Sequence, residues 1–242
     1  MQIIEYSDLG VRSARLSLTS AKSNVAVTLF PMVHLGEAAF YKAVYEDASQ
    51  HDAMLVEGLK SPITTRITRT YRWIAGSRRI GLALQPRHPE QSNSRATIIH
   101  ADLSHAEFEE HWRKLALFRR LVLYAAAPTI GLYYRWFGSR RSIGRRCGDL
   151  DDLPDRNEVL NWSPEWAGLD NAVMTVRDER LLKVMNDYLD MPSSDPRRLA
   201  IVYGAHHMRA VLKDLERNRG FRVAKGTWMT VFELERDDDG PA

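Results

Sequence analysis

At 242 residues, 44% of them hydrophobic and 27% charged, the chain has the composition of an ordinary globular protein and the length of one large domain, 1–242. Its single cysteine, Cys147, excludes an internal disulfide and a cysteine-rich zinc site and fits a reducing compartment. Net charge is only +3 but is unevenly spread: no acidic residue lies between His111 and Gly148, whereas 149–155 and 233–239 are acidic. The opening MQIIEYSDLG has neither a basic start nor an apolar core, so no signal peptide is read and a cytoplasmic location is expected. A basic middle suits phosphates or an anionic membrane surface, or is simply a set of solvated helix faces; a nucleic-acid partner is not expected.

Val11–Leu18 alternates apolar and polar residues, and SAKSN separates it from the dense apolar run Val25–Phe30. This reads as a hairpin entering an interior strand. Gly36–Gln50 carries Phe40, Val44 and Ala48 at helical spacing, and Ala53–Gly58 (AMLVEG) is the next strand. Strand, helix, strand within about 35 residues predicts a βαβ unit with parallel pairing. Ala96–Ala101 is a further candidate strand, with His100 packed inside it, and Ser104-His-Ala-Glu107 has the form of a capping box opening a helix. Asp149–Gly168 reads as an irregular connection. Val173–Leu189 places Leu182, Met185 and Leu189 on one helical stripe. Leu199–Tyr203 is a buried strand, and Met208, Val211, Leu212 and Leu215 follow as an amphipathic helix stopped at Gly220. Phe221–Ala224 and Thr227–Leu234 close as two strands. The expected fold is α/β, with a mixed, largely parallel central sheet, flanking helices and a mainly helical, arginine-rich insertion over 61–165.

Within that insertion, Leu121–Tyr134 (LVLYAAAPTIGLYY) is apolar and flanked by Arg119, Arg120, Arg135, Arg140 and Arg141. A span needs about 20 apolar residues, and this run is shorter and holds Pro128 and Gly131. A buried helical hairpin is the first expectation. Peripheral membrane contact through this segment, with the arginines at the headgroups, is the second.

Each buried strand ends in a residue suited to chemistry: Phe30 leads to His34, Val56 to Glu57, His100 to Asp102, and Tyr203 to Gly204, His206 and His207. In parallel α/β sheets, sites gather at the carboxyl ends of strands, because the chain leaves the core there and helix N-termini converge there. Two imidazoles and a carboxylate can hold a catalytic divalent ion; without metal the same groups can act as general bases, and the sequence does not separate the two. On the 176–189 helix, Asp178 falls on the core-facing stripe and Arg177 at its edge, an inward pair that is either structural or an anion clamp. Arg180 falls on the opposite face. His51, His88, His105 and His111 are expected at polar surface positions without a role.

These motifs resemble the TraB, pheromone-shutdown (PrgY), GumN and Tiki families, with erythromycin-esterase-like and ChaN-like proteins as remoter relatives. The likeness rests on Pro31-Met-Val-His34 and Tyr203-Gly204-Ala-His-His207-Met208 as two G-x-x-H motifs, Glu57 in LVEG, and the helical Val176-Arg177-Asp178. It covers about half the chain, 24–60 and 170–225. Asp102 in HADL is similar to a segment of some members. Pro31 stands where the first motif has glycine. The resemblance implies a metal-dependent, peptidase-like hydrolase. His34, Glu57 and His207 would bind Mn, Co or Zn, and Glu57 would also serve as general base. Arg177 would stabilise the oxyanion and Asp178 would orient it, with Asp102, His206 and Gly204 lining the site. It equally suggests a non-catalytic, membrane-associated factor that binds a peptide or signal molecule. A metal-free esterase with His34 as base is a further alternative.

Overall fold

The structure, a computed structural model, describes residues 2–59, 61–86, 95–148 and 174–234. The elements run β1 (Ile4–Ser7), β2 (Gly10–Thr19), β3 (Val25–Met32), β4 (Leu35–Gly36), α1 (Ala38–Ala48), β5 (Ala53–Val56), α2 (Pro62–Ala75), β6 (Ala83–Leu84) and β7 (Thr97–His100). They continue with α3 (His105–Lys114), α4 (Leu117–Phe137), α5 (Arg140–Gly148), α6 (Val176–Leu189), β8 (Arg197–Gly204), α7 (Ala205–Arg217) and β9 (Arg222–Glu233).

β3, β8, β5 and β7 are parallel neighbours in that order. β2 continues the sheet antiparallel to β3. β9 lies along the whole of β2, so β1 and β3 must share its other edge in succession. The fold is thus α/β with a mixed, largely parallel sheet, as composition and periodicity led us to expect. Gly10 (φ 152°) turns the β1–β2 hairpin where a Cβ would lie 2.4 Å from the Phe232 carbonyl oxygen, so glycine is required.

Side-chain alternation gives the sheet two buried faces. Phe30, Met32, Met54, Val56, Ala200 and Val202 pack with Phe40, Tyr41 and Val44 of α1 and Ile143 of α5. Val27, Leu29, Leu55, Leu199 and Ile201 pack with Leu181 and Met185 of α6 and with Met208, Val211 and Leu215 of α7. A strand buried on both sides is apolar at nearly every position, which is why Val25–Phe30, Ala53–Val56 and Leu199–Tyr203 read as dense apolar runs, broken only by Thr28, whose hydroxyl pairs with His51.

Four expectations are corrected. The β3–α1–β5 unit is parallel, but its strands are not neighbours: β8 lies between them. Periodicity specifies each strand, whereas order depends on a segment arriving some 140 residues later. The two closing strands are one, β9, continuous through Gly226 with register shifts against β2. β1, not anticipated, pairs with the start of β2. Finally, Leu121–Tyr134 is neither a hairpin nor buried. It belongs to the single 21-residue helix α4, with Pro128 inside it and Gly131 buried. The expected strand within 61–165 forms as β7 at the edge of the central sheet. Asp149–Gly168 lies outside the described residues.

Candidate functional site

All four parallel strands present their carboxyl ends at one rim, and there the chain places the residues singled out above. β5 delivers Glu57, β7 delivers Asp102, β8 ends at Gly204, and α7 begins with His206 and His207 in its first turn. α6 adds Arg177 and Asp178, both buried.

Arg177 is the hub. Its Nε and Nη2 donate to Asp102 Oδ1 and Oδ2 at 2.9 and 2.8 Å, a two-pronged guanidinium–carboxylate pair. Nη2 also donates to Glu57 Oε1 at 2.5 Å. The Asp102 side chain is 2% exposed and also accepts from the backbone N–H groups of Leu103 and Gly58. Burial alone would lower the Arg177 pKa, but Glu57 and Asp102 raise it above its ordinary value. Burial likewise works against the Glu57 anion, yet Arg177, then His207 and His34, outweigh it and bring the Glu57 pKa down to about 2.

The second oxygen of Glu57, Oε2, accepts the Gly204 N–H at 2.9 Å. Gly204 is the N-cap of α7, so the carboxylate also faces the positive end of a helix. A Cβ on Gly204 would lie 3.0 Å from that oxygen and 3.6 Å from His207 Cδ2. This gives the Gly204-to-His207 spacing a local physical reason. The glycine brings its N–H onto Glu57, and three residues later the first helical turn swings His207 beside it.

His207 is paired with Asp178, Nδ1 to Oδ1 at 2.5 Å, with side chains only 4% and 6% exposed. Asp178 therefore orients His207. Arg177 and Asp178 are adjacent on α6, so they diverge to different partners across the rim. Through Nε and Nη2, Arg177 positions both carboxylates.

His34 follows β3 on the same rim. It is exposed, its ring lies 4.9 Å from that of Tyr71, and its charge acts on Glu57 and His206. His206 is exposed on its outer side; desolvation, then His207 and His34, lower its pKa to about 4. Pro31 is accommodated because the β2–β3 ladder ends at Leu29. Its carbonyl, which faces the β2 side as its nitrogen does, accepts instead from Ser13 Oγ at 2.7 Å.

Tyr203 was overlooked as a site residue. Fully buried, it sets its ring edge-on to His207 at 5.0 Å, under the Arg177 guanidinium at 5.8 Å. Its hydroxyl finds no hydrogen-bond partner among the described residues. The signal was present in the tyrosine closing IVYGAHH, but an aromatic at a strand end is ordinarily core. His51, expected at the surface, is buried between the Asp47 carbonyl and the Thr28 hydroxyl, while His100, expected to be packed, is exposed. Arg180, on the opposite face of α6 and still partly exposed, pairs with Glu107 of α3.

Among the described residues no three His, Cys, Asp or Glu side chains converge as a metal-holding group. Both oxygens of Glu57 are already engaged, and His207 shows the carboxylate-backed imidazole usual for a metal ligand. Comparison of the chain with protein-family models, curated proteins and solved structures finds no significant match.

Proposed function

We propose that the chain is a hydrolase of the TraB/Tiki type, acting on a peptide or a small carbonyl substrate, with His207 as the water-activating group. The observation that supports this most is the buried Asp178–His207 pair at the carboxyl rim of the parallel strands. With Nδ1–H donated to Asp178, Nε2 keeps its lone pair and can take a proton from water as that water attacks a carbonyl. The imidazolium that forms is stabilised by Asp178 and by the nearby Glu57 and Asp102, two carboxylates that share the single Arg177 guanidinium. The same Nε2–H then protonates the leaving group. With a pKa near 2, Glu57 is a weak base at neutral pH; it serves as a fixed negative charge beside His207. Arg177 and Asp102 hold it there.

The arrangement described does not assemble a three-donor set for the divalent ion that the resemblance implies, so no step here passes through one. Mn, Co or Zn bound by His34, Glu57 and His207 remains a separate part of the proposal with its own readout: metal content of the purified protein against the His34→Ala/His207→Ala double variant. Equal content in the two would remove that part alone.

Catalysis is tested by incubating the protein with fluorogenic casein and with p-nitrophenyl acyl esters, in chelator or in added Mn, Co or Zn. Hydrolysis should fall by about 10²–10⁴-fold in His207→Gln and in Asp178→Asn. Turnover unaffected by either substitution, or absent under every condition, would refute the hydrolase.

A further inference from the structure

The geometry points to α4 as a docking helix for an anionic membrane surface, independently of any reaction at the rim. One side of α4 is anchored: Gly131 meets Thr70 of α2 so closely that a Cβ would come within 2.6 Å of the Thr70 Cβ, and Tyr124 packs on Trp112 of α3. The opposite side carries Phe118, Leu121, Leu132, Tyr133, Trp136 and Phe137. All are exposed, Phe118 at 74%, Trp136 at 69% and Phe137 at 71%. At 100° per residue the first five fall within one outward arc, and Val122, Ala125 and Thr129 fill the gaps. The result is an apolar ridge about 30 Å long, far from the isolated surface leucines that globular proteins tolerate.

Charge identifies the occupant. No acidic residue occurs from His111 to Gly148 or within 61–86 of α2 and its flanks. Arg66, Arg69, Arg72, Arg78 and Arg79 on the α2 side and Arg145 on α5 thus belong to segments of one sign. The acids of the adjoining α3, Glu107, Glu109 and Glu110, are paired with Arg180, Arg113 and Lys114. A second copy seated symmetrically on this ridge would therefore set like charges against like, whereas lipid phosphates and serine headgroups complement them. Arg140, once grouped with these flanking arginines, is buried and takes no part.

The mode is lying on the bilayer, not crossing it. No single helix among the described residues is long and apolar enough to cross a membrane, and α3 and α4, which reach that length together, are bent by 113°. A helix with one apolar face, aromatic residues at one end and arginines around it rests in the interface plane, its apolar side at the headgroup–acyl boundary.

The test is co-sedimentation of the full chain with vesicles of phosphatidylcholine alone and of phosphatidylcholine with equimolar phosphatidylserine. Binding should require phosphatidylserine and weaken as salt rises. Leu121→Asp with Trp136→Asp should lower it at least tenfold without changing the circular dichroism spectrum, since neither side chain is buried. Arg69→Glu with Arg145→Glu should lower it too and flatten the salt dependence. Failure of the unmodified chain to bind phosphatidylserine vesicles at low salt overturns the proposal. So does a dimer in solution that Trp136→Asp converts to monomer.

Discussion

Glu57 accepts the Gly204 N–H and His206 lies two residues past that glycine; both pKa values are lowered, which favours the charged form of the acid and the neutral form of the base. Arg177, His207 and His34 hold Glu57 ionised against its burial, with its pKa at about 2 rather than 4.5. A depressed carboxylate contributes stability that is complete above its unfolded value and is lost as pH falls from about 4.5 toward 2. Glu57→Gln should therefore cost about 3 kcal/mol at pH 7, and the gap to the parent should close below pH 4.5. Urea midpoints measured across that range check it; a gap independent of pH would mean that the pairing with Arg177 contributes nothing. His206 is a base pushed down, to about 4 from 6.5. The folded chain resists taking that proton, so stability is full above pH 6.5 and declines as pH falls toward 4. His206→Gln should remove this decline, leaving the two stability curves parallel above pH 6.5 and diverging below it. The same residues show how far local sequence reaches. That Glu57 and His207 lie at strand and helix ends is written in the apolar runs before them. That Asp178 serves His207, while its neighbour Arg177 serves Glu57 and Asp102, depends on the angle at which α6 crosses the rim.

Among the elements, the α2–α4 pair shows a packing choice hidden in a residue type. Gly131 sits in the middle of a helix, where glycine lowers intrinsic stability by about 1 kcal/mol relative to alanine. Contact with Thr70 explains why it is tolerated. Gly131→Val should destabilise by about 2–3 kcal/mol in thermal denaturation, and Thr70→Gly in that background should recover most of the loss. No recovery would mean that the helices do not meet there. Pro128 and Gly131 had suggested a turn between two short helices. α4 instead continues through both, because tertiary contact with α2 outweighs the local penalty. Where nothing competed, local signals held: the Ser104–Glu107 capping box forms with both of its hydrogen bonds.

Over the whole molecule, Arg140 ties together segments that are remote in sequence. Its guanidinium donates to the Ile80 carbonyl at 2.9 Å, Glu37 Oε1 at 2.8 Å and the Glu233 carbonyl at 2.9 Å, joining α5 to the turn before β6, the start of α1 and the end of β9. Arg140→Met keeps the stem and removes these bonds, so it should cost about 3 kcal/mol in chemical denaturation. A loss under 1 kcal/mol would make the tie dispensable. Nothing local distinguishes Arg140 from exposed Arg141 beside it. Amino-acid order by itself determined which segments are buried strands and amphipathic helices, and that catalytic residue types stand at strand ends, because side-chain periodicity and apolar transfer are properties of short stretches. Only tertiary structure decided that β8 lies between β3 and β5, that His207 takes Asp178 and Arg177 takes Asp102, and that α4 turns an apolar face outward. Those outcomes depend on which surfaces meet across long sequence separations, and a buried charge chooses whichever partner is near enough to offset its desolvation.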